Sequence, residues 1–363
     1  METFIDSHMT IPDFIAALFD EYKIAGVAAM AELPSGRNAA YTLFTDKEDA
    51  KKCIPFFPVM PVNAAKAVSK FTGQKSPSEI IAVFLRPCEL RALIELVKIK
   101  QASLDNLLII SFHCNGVFPF QDIDLPDKKK LDIYKTAAKE GKSCDGLRPV
   151  CSACTRFVPE GSDISISTAG QNSHESLVIS FNSERGKDAA KALGLDLSDH
   201  SDLLPALELM GGERIRAEKE LTKKIEKNLA DTEGLISIFD RCISCHACSH
   251  ACPICYCKNC YFESQTFEYF PESYFTRMEE KKALRLPVDR ILFHLGRLSH
   301  MGLSCAGCGM CEDVCPMNIP VSQIFKTAGA KAQSVFHYTP GKDPDTPLPL
   351  LTYMENEFEE FED

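Results

Sequence analysis

No apolar run in this chain reaches the roughly 18 residues that a membrane span requires, so no direct span is expected. The opening stretch, METFIDSHMTIPDF, lacks both a basic start and an apolar core, so no secretory signal is expected and a cytoplasmic location is. Basic residues are in deficit: 40 Lys and Arg against 51 Asp and Glu leave a formal net charge of −11. That balance argues against nucleic acid as a ligand. GxGxxG is also missing, and with it the phosphate turn of a Rossmann-type dinucleotide site. What remains is ordinary globular material. Its 363 residues are 45% hydrophobic and 25% charged, enough for two or three units. Much of the acidic excess sits in ENEFEEFED (355–363), read as a solvated tail whose phenylalanines leave room for ordering on a partner.

Cysteine breaks the plainness. There are 17, an odd number, tightly clustered and without an export signal, which disfavours disulfides and favours metal. Cys242-x2-Cys245-x2-Cys248-x3-Cys252-Pro253 is repeated as Cys305-x2-Cys308-x2-Cys311-x3-Cys315-Pro316. Two residues between cysteines let a tight loop wrap three thiolates around one face of a cubane. The fourth, after a longer step, points away, and in two-cluster ferredoxins it ligates the other cluster. The spacing therefore assigns Cys242, Cys245, Cys248 and Cys315 to one [4Fe–4S] cluster, and Cys305, Cys308, Cys311 and Cys252 to a second. Zinc knuckles also use CxxC, but a tetrahedral zinc has no use for a third cysteine in register or for the repeated Cys-Pro. His246 and His250, inside the first motif, read as packing. Ala247, Gly307 and Gly309 suit backbone that approaches cluster sulfur.

Upstream, residues 26–34, 39–44, 163–170 and 176–181 read as strands. IIAVFLRP (80–87), CELRALIELVKIKQ (88–101) and NLLIISFHC (106–114) read as strand, helix, strand, a βαβ unit with a parallel sheet. Cys88 and Cys114 then fall just beyond the C-terminal ends of strands, the edge where open α/β sheets bind ligands. With the CxxC of Cys151 and Cys154 they form a candidate third cluster, Cys144 being the substitute ligand. The alternative is that Cys88 and Cys114 are buried apolar thiols, and Cys53 is assigned to the core. The charged helix 213–230 reads as a connector. The division is 1–230, 231–330 and an extended acidic arm, 331–363. Three cysteines, Cys255, Cys257 and Cys260, are left without a task; with Cys144 they either build a further cluster or pack as small apolar thiols.

FLRPCELRAL (84–93), FHCNG (112–116) and CSACTRFVPEGSDISIS (151–167) resemble the beta subunit family of coenzyme F420-reducing hydrogenases and formate dehydrogenases. The matching positions are Pro87, Cys88, Cys114, Cys151, Cys154 and Asp163. Arg86-Pro87-Cys88-Glu89 is also similar to the iron–sulfur beta subunits of sulfhydrogenases and anaerobic sulfite reductases. The resemblance implies an FAD beside a [4Fe–4S] cluster, with Arg86, Arg91, Asn115, Gly116 and Arg156 as candidate flavin contacts. The fold it implies is an α/β flavin and cluster domain, a mixed sheet with flanking helices, followed by an α-rich two-[4Fe–4S] ferredoxin-like domain. The expected function is an iron–sulfur flavoprotein subunit of an anaerobic oxidoreductase complex. It would pass electrons between coenzyme F420, NAD(H) or a similar carrier and a partner of formate dehydrogenase, hydrogenase or heterodisulfide reductase type. The alternative is a flavin-free adaptor whose N-terminal domain only docks partner subunits.

Overall fold

Seven strands account for the N-terminal half: β1 (Ile5–Asp6), β2 (Gly26–Glu32), β3 (Ala39–Phe44), β4 (Ile81–Leu85), β5 (Leu107–Phe112), β6 (Ile164–Ser167) and β7 (Val178–Phe181). They form one mixed sheet in the order β1-β7-β6-β5-β4-β2-β3. β2, β4, β5 and β6 run parallel, while β3, β7 and β1 pair antiparallel at the two edges. The structure, a computed structural model, describes residues 4–352 apart from 37, 123–127, 171–175, 196–203, 268–269 and 283–288. The acidic tail 355–363 lies outside the described residues.

The central strands are buried on both faces, as parallel sheets require, and largely apolar, with Ser111, Ser165 and Ser167 the buried polar exceptions in β5 and β6. Side chains alternate between the faces. Val27, Ala82, Phe84, Leu108 and Ile110 meet Phe14, Ile15 and Leu18 of the helix Ile11–Asp20 on one side. Ala28, Val83, Leu85, Leu107 and Ile109 meet the helices Ala64–Thr72 and Pro87–Lys98 on the other. That second face does not end with the sheet. Its core runs on into Phe239, Ile254, Met301, Ile319, Val321 and Phe325 of the cysteine-rich half.

The connector differs from expectation for that reason. It is a helix from Leu204 to Asn228, longer at its start than the charged stretch 213–230, and it packs on the helices Val321–Val335 and Pro149–Ser152. Lys326 pairs with Glu218 and Lys331 with Glu226, the latter at 2.7 Å. The arm begins later than 331, because the last helix continues to Val335 before His337 turns left-handed (φ 47°). Beyond it the chain straps back: Tyr338 Oη donates to Glu95 Oε1 at 2.6 Å, and so does the Gly341 N–H at 2.8 Å. Among the described residues no helix is long and apolar enough to cross a membrane.

Candidate functional site

The two repeated motifs fold alike. Ser244 and His246 have φ of 49° and 55°, and the equivalent Gly307 and Gly309 have 68° and 83°. These left-handed residues turn the loop so that its three cysteines face inward. Glycine takes the conformation freely, whereas a residue with a Cβ gives up about 1–2 kcal/mol. His246 regains contact by stacking on Phe293 at 4.2 Å.

Cys242, Cys245, Cys248 and Cys315 line one small cavity, together with Phe293, His294 and Pro316. Cys252, Cys305, Cys308 and Cys311 line a second, beside Arg297 and Gly307. Each cavity thus takes three thiols from one motif and the fourth from the other. The short helices Ala247–Ala251 and Met310–Asp313 carry those fourth cysteines across. Among the described residues no three His, Cys, Asp or Glu side chains converge as a single metal ion would need. Four thiols line each space, a donor set suited to a polynuclear centre. Burial pushes the thiols up, Cys248 and Cys305 to about 11 and Cys308 to about 12, so metal must displace their protons on binding.

A third group lies at the C-terminal edge of the sheet. Cys114, past β5, has the thiols of Cys88, Cys151 and Cys154 within electrostatic reach. Burial pushes Cys151 up to about 12 and raises Cys88 and Cys114. Cys88 and Cys151 also pack with Cys308 around Met60, Val117 and Met310, so this group adjoins the second cavity. Arg148 closes the joint. It pairs with Asp313, both side chains 3% exposed, and donates to the carbonyls of Cys308 at 3.2 Å and Met60 at 3.0 Å. Arg214, missed by sequence reasoning, lies over the Phe157 ring beside Cys154, 1% exposed, with Nε and Nη2 unpartnered. Among the described residues no carboxylate pairs with it, and such a buried guanidinium is costly unless other anions lie close. Cluster thiolates would meet that need.

The remaining cysteines disperse. Cys144 sits among Phe118, Tyr134 and Leu147, a cluster that Cys151 packs against, and its thiol is turned to the Asp145 carbonyl. Cys255 joins the main core and donates from its thiol to Cys252, a contact that lowers Cys252 and raises Cys255. Cys257 is exposed, and Cys260 packs under Phe262 and Phe293. The structure does not gather these four into one site. Cys53 is buried in the sheet core, as expected.

Of the candidate flavin contacts, three arginines are engaged by the protein. Arg86 pairs with Glu89 and holds the Phe57 and Val59 carbonyls. Arg91 bridges the carbonyls of Arg156 and Ala306, and Arg156 reaches Pro340 and Glu160. Gly116, at φ 95°, lies so close to Leu147 that a Cβ would collide, with Cys151 tight beside it. Asn115 alone faces a large cavity of about 500 Å³, walled by Pro12, Phe56, Phe57, Phe112 and Tyr134, with Lys135 and Lys139 at one side. Ser167 Oγ fixes His113 Nδ1 at 3.0 Å, and Thr168 Oγ1 fixes Asn115 Nδ2 at 2.8 Å. His113 Nε2 and Asn115 Oδ1 are buried without partners. Burial pushes His113 down to about 4, so it is neutral. Asp163, the aspartate of the resemblance, ties β6 to β5 by accepting the Ile109 N–H at 2.8 Å.

Residues 78–194 match the family described as the C terminus of the coenzyme F420 hydrogenase/dehydrogenase beta subunit, and residues 237–319 match the 4Fe-4S dicluster domain. The F420-dependent formate dehydrogenase subunit beta of Methanocaldococcus jannaschii is 27% identical over 361 residues, 91% of this chain and 90% of its own length. The F420-dependent formate dehydrogenase 1 subunit beta of Methanococcus maripaludis is 27% identical over 371 residues, 92% of this chain and 90% of its own length. Among solved structures, a chain of the xenon-derivatised F420-reducing [NiFe] hydrogenase complex from Methanosarcina barkeri has a TM-score of 0.42 at 12% identity. It covers 60% of this chain and 86% of its own.

Proposed function

We propose that this chain, a member of the coenzyme F420 hydrogenase/dehydrogenase beta subunit family joined to a 4Fe-4S dicluster domain, moves electrons between a hydride carrier and a catalytic partner. It is an oxidoreductase subunit; the carrier we assign is coenzyme F420 and the partner a formate dehydrogenase, as in the relatives' names. One observation carries the reading: the large cavity and the three thiol groups are contiguous. His113 and Asn115 flank Cys114 and line the cavity. Cys88 of that group neighbours Cys308 of the second, Arg297 touches both the second and the first, and Cys245 of the first is exposed. Electron transfer needs such a file, with a two-electron entry at one end and a surface exit at the other.

An FAD in the cavity would accept hydride and release electrons singly, which [4Fe–4S] clusters can carry. The chain's own part is to bind and orient. The aromatic and proline walls suit a flat ring system, Lys135 and Lys139 suit a pyrophosphate, and the unpartnered His113 Nε2 and Asn115 Oδ1 suit a polar ring edge. Arg86 acts indirectly by anchoring the Phe57 carbonyl behind that wall. The test is flavin released from the anaerobically reconstituted chain. One flavin per chain is expected, and Asn115→Leu should weaken its binding about tenfold, the worth of a buried hydrogen bond. Full cluster absorbance with no releasable flavin would favour the adaptor instead.

A further inference from the structure

The helix Arg290–Met301 lies outside both cysteine motifs, yet two of its buried side chains touch cysteine sulfur. His294 sets Nε2 3.3 Å from Cys242 Sγ, its ring stacked on Phe239 at 4.1 Å. Arg297 donates from Nη1 to Cys248 Sγ at 3.1 Å and from Nη2 to the Cys248 carbonyl at 3.2 Å. Three residues apart on one helix, the pair shares a face. Arg297 also lines the second cavity, with Cys252, Cys255 and Cys311 within electrostatic reach. It is 4% exposed and lies over the rings of Phe293 and Phe325. Among the described residues no carboxylate pairs with it, and its Nε has no partner. Thiolates of bound clusters would supply the anions this buried charge needs, Cys248 by a hydrogen bond and the cysteines of the second cavity through space.

We propose that Arg297 and His294 are positioning residues that raise the reduction potentials of the dicluster unit. Both act on the centre held by Cys242, Cys245, Cys248 and Cys315, through hydrogen bonds to its sulfurs. Arg297 alone also acts, through its charge, on the centre held by Cys252, Cys305, Cys308 and Cys311. Reduction adds one electron, hence one negative charge, and sulfur-directed donors and a nearby cation favour that state. One helix thus acts on two neighbouring centres at once.

The inference rests on the cluster assignment under Proposed function, which the iron content of the unmodified chain tests separately. Its own test is a mediated redox titration of the reconstituted full chain, followed by electron paramagnetic resonance. The two midpoints are told apart with a Cys315→Ala chain. Arg297→Met removes charge and donors at similar length, so both midpoints should fall. We expect about a tenfold change in the reduced-to-oxidised ratio at fixed potential, about 59 mV for one electron. Arg297→Lys keeps the charge but loses the planar fork, so only the centre at Cys248 should fall. His294→Phe keeps the stack and should lower that same centre alone. Unchanged midpoints in an iron-replete Arg297→Met chain overturn the proposal. Should that variant lose iron, Arg297→Lys and His294→Phe decide, and midpoints equal to the parent's in both overturn it.

Discussion

Cys315 belongs to the second cysteine motif, yet it lines the same cavity as Cys242 of the first. Replacing it with alanine should therefore damage the centre at Cys242, Cys245 and Cys248 and spare the one at Cys305, Cys308 and Cys311. Electron paramagnetic resonance of the reduced chain reads this, and loss of the latter signal alone would break the crossed assignment. This juxtaposition was legible in sequence because a CxxCxxCxxxCP spacing dictates its own loop. Arg297, His294 and Arg214 were not legible. They belong to no motif, and only the folded chain brings them to sulfur and to the cluster loops. Arg86, Arg91 and Arg156 stand beside motifs and could be singled out from sequence, but their engagements could not. An arginine next to a motif can serve backbone carbonyls as well as a ligand, and these hold carbonyls.

At the scale of elements, the two cysteine loops share a backbone but not its ease. Ser244 takes the left-handed turn that Gly307 takes in the second copy. Ser244→Gly should stabilise the loaded chain by about 1 kcal/mol, read by reversible denaturation, because the Cβ strain is relieved. A variant less stable than its parent would mean that Ser244 contributes more than strain. The strand–helix–strand unit around Cys88 could be read directly, since buried parallel strands and an amphipathic helix each leave a plain apolar pattern. The start of the helix Leu204–Asn228 could not. Gly211 and Gly212 interrupt its pattern, and packing against Phe157 and the last helix overrides their low propensity.

For the whole molecule, the sequence suggested two units and a connector, whereas one face of the sheet and the cysteine-rich half share a core. Arg148 with Asp313, Arg91 with the Ala306 carbonyl, and the strap from Tyr338 to Glu95 lock the halves together. Such docking is invisible in composition, because a residue buried between units looks like one buried within either. Its consequence is functional: the thiol group at Cys88 lies against Cys308 rather than across a mobile gap. Under the proposed function, three four-cysteine centres stand in file between the large cavity and the exposed Cys245. Iron per chain in the anaerobically purified protein tests it most directly. Three [4Fe–4S] centres give about 12 iron with matching labile sulfide. About 8 iron, the content of two such centres, with the thiols of Cys88, Cys114, Cys151 and Cys154 free to alkylation, would contradict it.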